Sequence, residues 1–342
     1  MMTTSYYTLF YTATLIVHVI FMNYVLGGTA YLAYRSLRRR VDGDPIVETA
    51  RDWMPFTLSA AITAGIAPLL FLQILRQHAF YTANLLLFHR WMSIVPVLIV
   101  GFYLMYLLKS RPWHSKATPW LAVGSFLCIA WTGLSWTENH LLSLGSMTVW
   151  TSVYESKAMW FRDARVGLRF GVWLFGSLPT FAMLMAWQLK LAQKRTPSPM
   201  AGCTRVLGQV AMAGLSVAAP AAALYYLRSR GDSGPLAGWP IAAALVIAGG
   251  TAQWYVWRRF RIAGGFDHAG LWFLTACVLA TLGGATWLRE CIRNAASARE
   301  STGVSARAGS VGGFAVFAVF LVINGLLVAW CLRIATRPPH RA

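Results

Sequence analysis

Residues 7–34 read YTLFYTATLIVHVIFMNYVLGGTAYLAY, without a single Asp, Glu, Lys or Arg. A helix needs roughly 20 apolar residues to cross the hydrocarbon core of a bilayer, and this run is long enough. No Lys or Arg precedes Arg35, so the run lacks the basic leader of a signal peptide and is too long for one. A retained first spanning helix is expected. Further apolar runs of spanning length lie at 54–75, 91–108, 118–144, 169–189, 204–227, 236–257, 269–288 and 311–332. The pattern predicts an all-α, polytopic membrane bundle of about nine spanning helices with almost no soluble domain.

Composition agrees with that reading. The chain is 57% hydrophobic and 12% charged, whereas soluble domains carry roughly a quarter charged residues. Its formal charge of +19 comes in short clusters between apolar runs and not along one polar face. That pattern argues for a lipid bilayer as partner and against nucleic acid. The clusters around Arg35–Arg51, Lys109–Lys116, Lys190–Arg205, Arg258–Arg261 and Arg333–Arg341 hold the larger share of the 30 basic residues. By the positive-inside rule the amino terminus lies outside and the carboxyl terminus inside, as in a multi-pass protein of a cell inner membrane.

Three regions follow: a histidine-bearing four-helix bundle over 1–145, an interfacial amphipathic segment over 146–168, and a five-helix Ala/Gly-rich region over 169–342. In the middle segment Val149, Val153, Trp160 and Ala164 stand beside Glu155, Lys157, Arg162 and Asp163, the pattern of a helix lying at the interface. Residues 291–309, rich in Ala, Ser and Gly, read as a loop. Small residues such as Gly249-Gly250 and Gly283-Gly284 let membrane helices approach closely, so the last helices read as scaffold or subunit interface.

The functional signal is histidine. His18, His78, His89 and His140 lie in or beside the first four helices, and the proposed orientation puts all four in the outer half of the membrane. His18 is roughly 16 Å into the first helix at about 1.5 Å per residue, near mid-membrane. Intramembrane ionisable groups are costly unless paired or liganded. Two histidines on facing helices are the usual axial ligands of haem b, and His18 and His140 are the leading metal-ligand candidates. Hydrogen bonding to a neighbouring helix is the plainer reading of either residue, and contact with interfacial water that of His78 and His89. Glu138, in the polar run Trp136-Thr137-Glu138-Asn139-His140, suits proton transfer with quinol or water, or else a pair with Arg76 or Arg90. Arg76 and Arg90 suit haem propionates, or else serve as topological anchors. Trp91 and Trp136 suit stacking on a cofactor, though a tryptophan belt accounts for most of the aromatic residues near helix ends. His114, His268 and His340 read as solvated.

Absences narrow the field. Cys128, Cys203, Cys277, Cys291 and Cys331 form no CxxC or CxxCH motif, so no c-type haem is expected on the chain. GxxxxGK[ST], HExxH and GxSxG are all missing, which argues against an ATP-driven transporter or a hydrolase.

The segment Leu9 to Ala30, with His18 followed by Asn23 and Gly27-Gly28, resembles the first helix of the large subunit of cytochrome bd-type quinol oxidases. That resemblance implies about nine helices, an outside amino terminus, and His18 as a haem ligand on the outer side. Asp52–Thr82, with Gly65-Ile66-Ala67-Pro68 and Gln77-His78-Ala79-Phe80-Tyr81, is similar to small bundle proteins encoded beside multihaem cytochromes c. The expected function is a haem b-binding subunit that passes electrons between quinone or quinol and an extracytoplasmic partner such as cytochrome c. The alternatives are a cofactor-free transporter or copper-permeation protein, and a structural membrane anchor.

Overall fold

The computed structural model describes residues 2–38, 43–110, 115–193, 201–229 and 239–298, with scattered positions beyond. Every element among the described residues is a helix. They are α1 (Met2–Leu37), α2 (Pro45–Leu75), α3 (Gln77–Leu86), α4 (Phe88–Met92), α5 (Ile94–Ser110), α6 (Thr118–Leu142), α7 (Met147–Ser156), α8 (Ala164–Gln193), α9 (Ala201–Ser229), α10 (Trp239–Ala263) and α11 (His268–Ala298). Among the described residues, 7 helices are long and apolar enough to cross a membrane: α1, α2, α4 and α5 taken together, α6, α8, α9 and α11. The chain is a multi-pass helical membrane protein. The run at 236–257 falls in α10, also a long helix, which packs against α9 and α11. The run at 311–332 lies almost wholly outside the described residues.

Local chemistry sets the helix ends. Asp44 caps α2 by accepting from Ile46 N at 3.0 Å, with Pro45 at the first helical position, where a missing N–H costs nothing. The same carboxylate meets Arg35 at 2.5 Å and accepts from the Tyr31 hydroxyl at 3.2 Å, tying the end of α1 to the start of α2. Lys157, at φ 48° in the left-handed region, ends α7. Asp163 accepts from Arg165 N at 2.7 Å at the start of α8. The fifth span accordingly begins at Ala164, ahead of the expected 169.

The first bundle is made by α1, α2, α5 and α6, but α8 also packs on α1, α2 and α6. A Cβ on Gly27 would lie 2.9 Å from Phe181 Cβ, so only glycine lets α1 approach α8 this closely. Beside it, buried Asn23 accepts from Trp173 Nε1 at 3.0 Å and donates to Thr180 Oγ1 at 3.2 Å. The Asn23 and Gly27-Gly28 signature is thus the α1–α8 contact. Large apolar side chains cover the outside, Trp120, Leu85, Ile247 and Tyr103 among them, as a surface in contact with lipid requires. One segment differs from expectation: residues 291–298 continue α11 as helix, while 299–309 lie outside the described residues. In the expected interfacial segment α7 docks on the bundle through buried Trp150, whose Nε1 donates to Leu142 O at 2.8 Å.

Candidate functional site

Successive long helices run in alternate directions, so the start of α1, the ends of α2, α6, α9 and α11, and the start of α8 meet at the end of the bundle that carries α7. Most of the sequence-selected residues are found there, apart from His18, which lies deeper on α1.

His18 faces α2. Its Nδ1 is 2.8 Å from Ala61 O. A carbonyl can only accept, so in the neutral ring Nδ1 carries the proton and Nε2 presents its lone pair. A Cβ on Gly65 would come within 2.8 Å of His18 Cε1, so the notch that receives the ring depends on glycine at 65. An Nδ1–H donated to a carbonyl is the arrangement that orients a metal-binding imidazole.

His140 is held differently. It is buried, and its Nδ1 lies 2.6 Å from Arg293 Nη2 on α11. Guanidinium only donates, so Nδ1 accepts here and the neutral ring carries its proton on Nε2. Arg293 Nη1 also donates to Tyr11 Oη at 2.8 Å and to Glu290 Oε1 at 3.2 Å. Arg289, one turn earlier, donates to the same Tyr11 oxygen at 2.7 Å. Arg169 on α8 donates to Tyr225 Oη on α9 at 3.3 Å and lies within electrostatic reach of His140 and Arg289. Arg76 donates to Asn294 Oδ1. Burial, then the neighbouring Arg293 charge, hold the Arg76 pKa below its ordinary value, with Glu290 opposing.

A second cluster surrounds Arg90. Its Nε donates to Glu138 Oε2 at 2.9 Å and its Nη2 to Oε1 at 3.4 Å, with both side chains almost wholly buried. The guanidinium carbon lies 3.8 Å from the Trp131 ring centroid and 4.4 Å from that of Trp160. Of the two roles considered for Glu138, pairing with an arginine is present. Next to it Asn139 Nδ2 donates to Asn84 Oδ1 at 2.5 Å.

His78 and His89 are exposed near the rim, His78 against the Trp150 ring at 5.6 Å and His89 against Phe88 at 5.4 Å. His268 lies beside Trp187 at 6.2 Å. His114 and His340 lie outside the described residues. Trp91 and Trp136 pack on one another, ring centroids 4.7 Å apart, and on Phe80, which accounts for both as core aromatics. Among the described residues, no three His, Cys, Asp or Glu side chains are placed to hold a metal ion.

These geometries test the fit to haem. A bis-histidine site needs two Nε2 lone pairs facing one iron. His18 offers one. His140 does not, because its Arg293 bond puts the proton on Nε2. The His18–His140 pair therefore does not make a bis-histidine site, and His18 alone keeps an Nε2 lone pair.

The sequence reading missed Arg169, Arg289, Glu290 and Arg293. The three arginines count there as membrane-flanking charges, Arg293 within the expected 291–309 loop, yet Arg289 and Arg293 stand four apart on one helical face, with Glu290 against Arg293. That spacing was the available signal. Comparison with protein-family models, curated proteins and solved structures finds no match to the chain.

Proposed function

We propose that the chain is the membrane subunit of a quinol-linked electron-transfer complex, passing electrons between quinone or quinol and an extracytoplasmic partner such as a cytochrome c. In this reading it lies in a cell inner membrane with the amino terminus outside, α10 and the 311–332 segment complete about nine crossings, and the α7 end faces outward. His18 would hold haem b through Nε2, and the haem when bound would supply one-electron transfer.

The observation that carries the reading is the His18 Nδ1 bond to Ala61 O in a notch cleared by Gly65. The bond fixes the ring and leaves Nε2 for an axial position. The 9–30 resemblance points to the same residue. A copper pathway is less well supported, because a cation passing His140 would meet Arg169, Arg289 and Arg293.

Haem content and reduced-minus-oxidised spectra of the purified protein test the proposal. His18→Ala should lose the haem, while His78→Ala, His89→Ala and His140→Ala should keep it. Wild-type protein without haem after expression with excess haem precursor, or full haem in assembled His18→Ala protein, would overturn it.

A further inference from the structure

Four arginines at the ends of these helices each have a carboxylate of their own: Arg35 has Asp44, Arg90 has Glu138, Arg165 has Asp163 and Arg259 has Asp267. At the seam of α1, α2, α6, α8 and α11 arginines outnumber carboxylates. Arg76, Arg169, Arg289 and Arg293 act on one another there, and Glu290 is the carboxylate among them. Two of the guanidiniums converge on one oxygen, Tyr11 Oη, at 2.7 and 2.8 Å. Like charges sharing one acceptor in a low-dielectric seam repel, and among the described residues Glu290, 3.2 Å from Arg293 and 3.9 Å from Arg289, is the one carboxylate placed to offset both. Arg289 Nε is buried without a hydrogen-bond partner, its nearest carboxylate oxygen being Glu290 Oε1 at 3.9 Å. Among the described residues the Arg289 side chain as a whole is 20% exposed.

We propose that Arg289 and Arg293, with Arg169 and Arg76 behind them, form an oxyanion site that takes a phosphate or carboxylate group at the α7 end of the bundle. Forked guanidiniums bind such groups through paired charge-assisted hydrogen bonds, which a tyrosine oxygen provides poorly. His140 is part of the device: by accepting from Arg293 it fixes that guanidinium while adding no charge of its own. The anion has two possible sources, a lipid headgroup entering sideways or a soluble anion from the adjoining water. The proposal does not depend on haem at His18.

The test uses the full chain in phosphatidylcholine nanodiscs. Inorganic phosphate and succinate are titrated against thermal unfolding, with chloride at matched ionic strength as reference. In parallel, native mass spectrometry measures retention of phosphatidylglycerol from mixed nanodiscs. Arg289→Gln should weaken whichever probe binds by about tenfold or more, the loss of a charge-assisted hydrogen bond. Arg259→Gln, at the opposite end, should bind as wild type, and so should His18→Ala, which separates this site from the haem reading. Stabilisation by phosphate or succinate identifies a soluble anion; retained phosphatidylglycerol that excess phosphate does not displace identifies a headgroup. Should Arg293→Gln fail to assemble, Arg289→Gln and the wild-type titrations decide. No response to any probe in wild type, or unchanged binding in Arg289→Gln, would overturn the proposal.

Discussion

Replacing Glu138 with Gln leaves the Arg90 guanidinium between two tryptophans without its counter-charge. The pair is buried on both sides, at 3% and 4% side-chain exposure, and bidentate. Removing one member of such a pair costs roughly 3–5 kcal/mol, because the remaining charge has no partner and little water. Stacking on Trp131 and Trp160 offsets part of this, by about 2 kcal/mol at a desolvated site. Glu138→Gln is therefore expected to destabilise by about 1–3 kcal/mol, and Arg90→Met, which also abolishes the stacking, by about 3–5 kcal/mol. The double variant Glu138→Leu/Arg90→Met should cost less than the sum of its single changes, since no uncompensated charge remains. The assay is a double-mutant cycle on equilibrium unfolding in mixed micelles, with Glu138→Leu and Arg90→Met as the single variants. A coupling of about 2 kcal/mol or more is expected. Additivity within about 0.5 kcal/mol would refute the reasoning, because it would mean the two groups do not depend on one another for neutralisation.

Gly65→Ala places a Cβ against the His18 ring and should cost about 1–3 kcal/mol through overpacking; unfolding midpoints check this, and on the proposed haem reading haem content should fall with it. Asn23→Ala leaves Trp173 Nε1 without its acceptor and should cost about 1–3 kcal/mol, read by the same unfolding assay. Asp163→Asn should cost about 1 kcal/mol at neutral pH through the weakened start of α8. Burial opposes ionisation of Asp163, yet the Arg165 hydrogen bonds and charge outweigh it and hold the carboxyl below its usual range. A depressed folded-state pKa gives stability that is present above the unfolded value and lost as pH falls through the folded one. The difference between wild type and Asp163→Asn should accordingly shrink on acidification, and a difference that grows in acid would contradict the assignment.

The class of the fold was legible because the bilayer imposes a coarse rule: long apolar runs become helices, whatever their details. What the runs could not reveal is where a helix continues past its apolar stretch. Residues 291–298 are polar enough to read as loop, but α11 extends through them because its Arg293 bonds Tyr11 and His140 and its Asn294 accepts from Arg76. The stabilising partners come from α1, α6 and the end of α2, far away in sequence, so no local window contains them. The same holds for Asn23, whose partners Trp173 and Thr180 lie on α8.

Three of the four histidines singled out lie toward the α7 end of the bundle, but the two strongest candidates proved chemically unlike. His18 donates to a carbonyl and keeps Nε2 as a lone pair; His140 accepts from a guanidinium and keeps Nε2 as a donor. That difference depends on which helix each ring faces, and the sequence does not encode it locally. Counting Arg289 and Arg293 as flanking charges hid the more consequential point. A positive-inside count treats every arginine at a helix end as equivalent, solvated and topological. Arg259 fits that description, exposed beside Asp267. Arg293 does not: it is buried between Tyr11, Glu290 and His140. A pair of arginines one helical turn apart shares one acidic neighbour among the described residues, and that imbalance is what the proposed oxyanion would offset. In a membrane protein of this charge, that imbalance carries more information than the number of histidines.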